Sequence, residues 1–275
     1  MGSRYGSQEH LRKDVKMFSL NTGLFTYFLN LWQIDSVSRP VPYYVIFFSL
    51  ILITIASGYL LGSINPSIIL SRVFYHDDIR SHGSGNAGMT NVMRTYGKKA
   101  ALFTLAGDTL KTALAVFIGG LCFGFGYVGG IATGEGGYVA GLFAVVGHIY
   151  PAYYKMKGGK GVLVTATMAL ILTPIPFAII FLLFAGVLAL SKYVSLASVS
   201  AAVMYPVAVY ATFKVMFAGS PIPGLVALST ILIACLIVYA HRGNLQRISD
   251  RTERKFSFGK KPENDESEHT DDDGH

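Results

Sequence analysis

Four short stretches of the chain bring together residue types suited to holding phosphate esters. The first is Gly83-Ser84-Gly85-Asn86-Ala87-Gly88-Met89-Thr90-Asn91-Val92-Met93-Arg94. Its glycines let the backbone reach φ > 0 and turn successive N–H groups into one concavity, a nest of the kind that binds phosphate. Ser84, Asn86, Thr90 and Asn91 add side-chain donors, and Arg94 adds a planar cation matched to phosphate oxygens. The same composition also makes a tight turn with a capping hydroxyl. The second stretch is Lys157-Gly158-Gly159-Lys160-Gly161. It lacks the Walker A spacing. It still sets Lys160 among Gly158, Gly159 and Gly161 at a helix start, where free N–H groups and the positive dipole end attract anions. Read alone, it is better taken as a flexible linker carrying positive-inside lysines. The third is His241-Arg242-Gly243-Asn244-Leu245-Gln246-Arg247, running on to Thr252-Glu253-Arg254. On a helix His241, Asn244 and Arg247 share one face; the alternative is a basic helix end snorkelling at a membrane surface. The fourth, Ser191 to Ser198, crowds Ser191, Ser195 and Ser198 at a helix entry, where capping accounts for one hydroxyl. Asp108 and Lys111, at i and i+3 inside an apolar run, complete the set. Charges in such a place are costly and are either functional or paired with each other.

The elements that must position these motifs are membrane helices. Of 275 residues, 52% are hydrophobic and only 14% charged, against about 25% charged in a soluble domain. Apolar runs recur from Val41 to Ala240, near the roughly 20 residues needed to cross a bilayer. Lipid cannot satisfy open backbone, so these runs predict helices. The expected class is all-α, a polytopic membrane bundle of about seven transmembrane helices. The expected spans are Val41–Gly62, Lys99–Phe125, Ile131–Tyr153, Val162–Thr173, Ile175–Leu190, Leu196–Phe217 and Leu225–Ala240, with six as the alternative count if the short fourth and fifth form one broken hairpin. Residues 1–40 are expected to form an arm with an interfacial helix over Met17–Ile34. Residues 41–255 form the membrane domain, and 256–275 a disordered acidic tail. No compact apolar core with a cleavage site precedes the first span, so that helix is expected to insert the protein itself.

Charge orients the bundle. The loops Ser71–Lys98, Lys155–Gly161, Ser191–Ser195 and the segment after His241 hold Arg72, Arg80, Arg94, Lys98, Lys155, Lys157, Lys160 and Lys192, then seven more Lys/Arg up to Lys261. The opposite loops, at 126–130, Pro174 and 218–224, have almost none. The positive-inside rule puts the first set in the cytoplasm, although Arg12, Lys13, Lys16 and Arg39 of the arm run against it. All the polar motifs thus converge on one face. Cys122 and Cys235 read as buried apolar residues, without disulfide or metal spacing. No carboxylate cluster, H-x4-D signature or D-G-x2-A-R pattern is present. Nothing calls for a metal, a cofactor or nucleic acid. Chemistry on phosphate-bearing lipid precursors fits better than ion conduction; a small permease for an organic phosphate is the alternative.

At these motifs the sequence resembles the bacterial acyl-phosphate:glycerol-3-phosphate acyltransferases, the PlsY family. The resemblance runs from about Gly58 to Glu253. It takes in Gly62-Ser63-Ile64, Ser84-Gly85-Asn86 through Arg94-x-x-Gly97, Asp108-x-x-Lys111, Gly147-His148 with Pro151, Gly158-Gly159-Lys160-Gly161, Tyr193 to Ser198, and His241-Arg242-x-Asn244-x-x-Arg247. Where the family has Gly-Thr-Glu this chain has Arg251-Thr252-Glu253, and Thr112 stands where a glycine follows Asp-x-x-Lys. The resemblance implies acyl transfer from acyl phosphate to the 1-hydroxyl of glycerol 3-phosphate, giving lysophosphatidic acid and phosphate. Catalysis is expected from Ser84, His241 and Asn244. Substrate is expected at Gly83, Gly85, Asn86, Thr90, Asn91, Arg94, Gly158, Gly159, Lys160, Ser198, Arg247 and Glu253. His241 or a donor phosphate oxygen would serve as base. The implied setting is a bacterial plasma membrane, with membrane lipid around the protein and a functional link to an acyl-carrier-protein-dependent phosphate acyltransferase supplying the donor.

Overall fold

A computed structural model describes residues 19–128, 131–132, 134–217 and 222–256, with backbone alone at 127–128 and 131–132. The first two residues of the expected interfacial stretch, the loop residue Ala218 and the acidic tail after Phe256 lie outside the described residues. The elements are α1 (Gly23–Trp32), α2 (Pro40–Ser63), α3 (Pro66–Phe74), α4 (Met89–Tyr96), α5 (Lys98–Phe123), β1 (Tyr127–Val128), β2 (Ile131–Ala132), α6 (Glu135–Ile149), α7 (Val162–Leu172), α8 (Pro174–Ser191), α9 (Val194–Met216), α10 (Gly224–Ala240) and α11 (Arg242–Ser249).

The all-α membrane architecture stands, and a helix occupies each of the seven expected segments. The count of seven crossings does not follow from their lengths. Among the described residues, four segments are long and apolar enough to cross: Pro40–Phe74, Lys98–Phe123, Pro174–Ser191 and Val194–Met216. A fifth forms if α10 and α11, bent by 51° at His241, act as one span. With 15 residues α6 is roughly 22 Å long and with 11 residues α7 is roughly 16 Å, at 1.5 Å per residue. Both fall short of a hydrocarbon core of about 30 Å. Only Thr173 separates α7 from α8, whose Pro174 occupies the first helical turn, a position that needs no amide hydrogen. The third expected span begins four residues late, because Tyr127–Val128 and Ile131–Ala132 pair as a short antiparallel hairpin.

Two helices replace expected loop. α3 opens with Asn65, whose side chain accepts from the Ile68 amide, followed by Pro66. α4 occupies the second half of the first glycine motif. Beneath them Ile68, Ile79, Ala87 and Val92 form a small core of their own. Cys122 is buried as expected, but Cys235 is exposed on the outer side of α10, a side that would face lipid.

The main core lies between α5, α6, α7, α9 and α10, around Tyr138, Val145, Met168, Val226 and Ile233. α2 and α6 approach until backbone touches backbone. A Cβ on Gly58 would stand 2.5 Å from the Ala140 carbonyl oxygen, and one on Gly62 would strike Ala144. Small residues four apart allow this approach, which supplies the packing that lipid solvent does not drive.

Candidate active site

The polar motifs surround one cavity of about 640 Å³. Its mouth is formed by the α3–α4 loop, the loop before α7, the start of α9 and α11 with the segment after it. Its interior descends between α7, α8 and α9.

The first motif is held by Asn91, which is 2% exposed. Its amide nitrogen donates to the carbonyls of Ile79, His82 and Asn86, and its oxygen accepts from the Ser84 amide. Gly83 takes φ of 58°, and a side chain there would strike the Asn91 oxygen. The Ser84, Gly85 and Gly88 amides are engaged within the loop. Asn91 therefore shapes the loop rather than offering free donors. Gly83, Ser84, Asn86, Thr90, Asn91 and Arg94 line the cavity; Gly85 does not. The half-buried Arg94 guanidinium has no ion pair or hydrogen bond among the described residues. Burial, then the neighbouring Arg254, press its pKa down, and Glu253 opposes them.

In the second motif the glycines do a different job from the one expected of them. The Gly159 amide donates to the His148 carbonyl and the Gly158 amide to that of Ile149. A Cβ on Gly159 would collide with the His148 ring. Neither glycine lines the cavity, so these amides make no anion nest. They pin the loop to the end of α6 so that Lys160 reaches inward. Lys160 Nζ donates to Asn244 Oδ1 at 2.5 Å. Burial, opposed by Glu253 and aided by Arg247 and Arg94, lowers its pKa to about 8.

The third motif straddles the bend after α10. His241 is 3% exposed, and its Nδ1 lies 2.8 Å from the Ile237 carbonyl. A carbonyl only accepts, so Nδ1 carries the hydrogen and Nε2 is left as an acceptor. Burial and the Lys160 ammonium push its pKa down to about 4. Asn244 Nδ2 donates to Glu253 Oε1 at 2.7 Å, and Ser195 Oγ donates to the same oxygen at 2.7 Å. Arg247 Nε reaches Glu253 Oε2 at 2.9 Å. Burial raises the Glu253 pKa, but these three donors outweigh it and hold the carboxylate ionised. The turn that brings Glu253 back survives without glycine: Arg251 itself takes φ of 58°, and the Thr252 and Glu253 amides donate to the Arg247 carbonyl. Ser198 lines the cavity while its hydroxyl donates to the Val194 carbonyl at 2.8 Å.

Sequence reasoning left Asp108 and His148 out of the site, yet both line its wall. Lys111 Nζ lies 2.8 Å from Asp108 Oδ1 and 2.9 Å from His148 Nδ1, and donates to the Gly62 and Ile64 carbonyls at 3.0 and 2.6 Å. The mutual pairing of Asp108 and Lys111 is therefore real, with His148 as a third member. Ser195 and Arg254 also belong to the site without having been assigned to it. An ionisable residue within an apolar helix was the available signal for His148.

The mouth thus gathers Arg94, Lys160, Arg247 and Arg254 around a single carboxylate, Glu253. Net positive charge in a partly dry cleft attracts anions. Below it the walls turn apolar, through Phe177, Ile180, Phe181, Phe184 and Tyr205. No group of three His, Cys, Asp or Glu side chains that could hold a metal occurs among the described residues.

The chain is similar to known proteins in sequence and in fold. The family model described as glycerol-3-phosphate acyltransferase matches residues 51–251. A glycerol-3-phosphate acyltransferase of Geobacillus kaustophilus (strain HTA426) is 39% identical over 201 residues, covering 73% of this chain and 93% of that one. One from Mycoplasmopsis agalactiae is 38% identical over 225 residues, covering 74% and 92%. Among solved structures, PlsY, an integral membrane glycerol 3-phosphate acyltransferase, is similar in its glycerol 3-phosphate form, with a TM-score of 0.64 and 32% identity over 75% of this chain and 96% of that one. Its lysophosphatidic acid form gives 0.62 and 31% over 75% and 95%.

Proposed function

This chain belongs to the glycerol-3-phosphate acyltransferase family, and from that membership we propose that it transfers a fatty acyl group from acyl phosphate to the 1-hydroxyl of sn-glycerol 3-phosphate. The products are lysophosphatidic acid and inorganic phosphate. One observation carries the reading: a single cavity joins a mouth of four cations to an apolar interior. That is the shape of a site for two phosphate groups and one lipid chain.

In this reading Arg94 and Lys160 hold phosphate oxygens, with Ser84, Asn86 and Thr90 donating beside them. Ser198 and Arg247 border the acceptor. Glu253 keeps Asn244 and Arg247 turned toward the mouth. The acceptor oxygen attacks the acyl carbonyl carbon, and the bond from that carbon to the phosphate oxygen breaks. Phosphate leaves with the electron pair. The hydroxyl proton passes to a phosphate oxygen of the donor. A pKa of about 4 makes His241 a poor proton sink at neutral pH. Its free Nε2 can still accept a hydrogen bond and aim the hydroxyl. Since the leaving group is good, orientation supplies most of the acceleration, and well-positioned reactants gain about 7–11 kcal/mol.

Family membership supports a bacterial plasma membrane as the setting, and the Lys/Arg bias of the loops supports a mouth turned toward the cytoplasm. Residues 41–255 form the catalytic domain. The donor then comes from an enzyme that makes acyl phosphate, such as an acyl-carrier-protein-dependent phosphate acyltransferase. The test is purified protein with palmitoyl phosphate and labelled glycerol 3-phosphate. Labelled lysophosphatidic acid and one equivalent of phosphate are expected, with no product from palmitoyl-CoA. Equal turnover of palmitoyl-CoA would replace the donor, and no labelled lipid from either would overturn the reading.

A further inference from the structure

The apolar half of the cavity has a floor. Along α9 the cavity is lined by Val194, Ser195, Ser198, Ala201, Ala202 and Tyr205, and by nothing beyond. From Ser195 to Tyr205 a helix rises roughly 15 Å, about half the thickness of a hydrocarbon core. Along α8 the lining residue deepest from the mouth is Phe177. Ala201 and Ala202 leave room; Tyr205 takes it away. Tyr205 is fully buried, and its hydroxyl lies 3.2 Å from that of Thr173, also fully buried. Thr173 spends its own hydrogen on the Ala169 carbonyl at 3.0 Å, so Tyr205 is the donor. The ring is thereby fixed across the gap between α9 and the α7–α8 junction.

We infer that Tyr205, held by Thr173, is the stop that sets the length of acyl chain the enzyme accepts. The inference rests on the acyltransferase reading above. A stearoyl chain extended from the mouth is longer than this pocket, so its end meets the ring. Ala201 faces the middle of the same path. A larger residue there shortens the pocket, and a smaller one at 205 deepens it toward Thr173. Phe181 marks the competing route, because it lines the cavity while remaining 54% exposed on the outer surface. A chain leaving past it would not feel Tyr205 at all.

The experiment compares kcat/KM for lauroyl and stearoyl phosphate in purified wild type and three variants. Tyr205→Ala raises the stearoyl-to-lauroyl ratio about tenfold, the low end of what one methylene in a tight apolar pocket discriminates. Ala201→Leu lowers the ratio by a similar factor. Tyr205→Phe keeps the ring but loses its hold on Thr173, so its ratio rises by less than in Tyr205→Ala; a ratio at the wild-type value removes Thr173 from the stop. An unchanged ratio in Ala201→Leu, or in a folded Tyr205→Ala, overturns the stop and favours exit past Phe181. Should Tyr205→Ala not fold, Ala201→Leu decides alone, since it opens no cavity. A wild type that transfers no acyl chain of either length refutes the parent reading instead, so the two failures are distinct.

Discussion

Lys160 sits on the glycine loop with its ammonium drawn to Asn244 and its pKa near 8. A lowered pKa for a cation means that the charge is complete below that value and lost as pH rises through it. The value of kcat/KM, which reports the free enzyme, should therefore be flat below pH 7 on this account and fall about tenfold per unit above about 8. Lys160→Arg should abolish that limb, because a guanidinium does not deprotonate in this range; an unchanged limb would assign it to another group. His241 is shifted in the same direction, but below neutrality. Its depressed pKa keeps the ring neutral down to about 4, so an acid limb near 6.5 should not belong to it. His241→Gln, which retains an acceptor but is no base, should keep measurable turnover, whereas His241→Lys should lose at least about 10²-fold. Equal loss in both variants would restore His241 as the base. At this scale the sequence was legible wherever neighbours along the chain are neighbours in space, as with His241 and Asn244. It was opaque where they are not. Glu253 gathers Ser195, Asn244 and Arg247 from two helices, and His148 meets Lys111 from another, contacts that no local spacing announces. The glycine amides misled for the same reason, since their carbonyl partners at His148 and Ile149 belong to the end of a preceding helix.

Lys111 binds three helices together at the floor of the polar site. It reaches the carbonyls at the end of α2, pairs with Asp108 on its own helix α5 and touches His148 on α6. The Gly159 amide then bonds the His148 carbonyl, so the position of Lys160 depends on this cluster. Breaking one partner of a buried pair leaves a charge uncompensated. Asp108→Asn should thus cost about 3–5 kcal/mol, read as a lower unfolding midpoint in detergent. Asp108→Asn combined with Lys111→Met should recover part of the loss; a single variant as stable as wild type would show that the pair is not coupled. Helix existence was readable from apolar runs, and the α7–α8 break from Pro174. The extra helix α3 was also readable in principle, since Asn65-Pro66 is a start signal. An amphipathic nine-residue helix, however, has no long apolar run to mark it among membrane spans. The bend at His241 had no signal of that kind. It places α11 across the mouth, where the 51° turn aims Asn244 at Lys160.

The described bundle has two unlike ends, and they set the expected orientation in the membrane. Composition alone revealed a helical membrane protein, because lipid admits little else at this hydrophobicity. The number of crossings stayed hidden, since apolar runs do not say whether a helix of 11 or 15 residues spans lipid or packs within the bundle. The mouth gathers the Lys/Arg-rich loops. At the opposite end α1 lies against the close of α5: Gly23 abuts Phe123 and Gly124, and the Phe125 amide donates to the Leu20 carbonyl. Phe25 packs there on Tyr43, Phe47 and Phe123. The described part of the arm, from Ser19 on, therefore sits across the bundle from the mouth, and Arg39, at the start of α2, goes with it. Four loops outweigh one terminus in the positive-inside balance, so the mouth should face the cytoplasm. With Cys122 and Cys235 replaced by serine, single cysteines at Ser84, Lys160 and Asn244 should react with an impermeant maleimide only when the cytoplasmic face is opened. A cysteine at Val37, 88% exposed in the link between α1 and α2, should react in intact cells. Labelling of Val37 and Lys160 from the same side would contradict the arrangement of the two ends. Labelling of Lys160 and Asn244 from opposite sides would dismantle the shared site itself, because their 2.5 Å contact could not then exist.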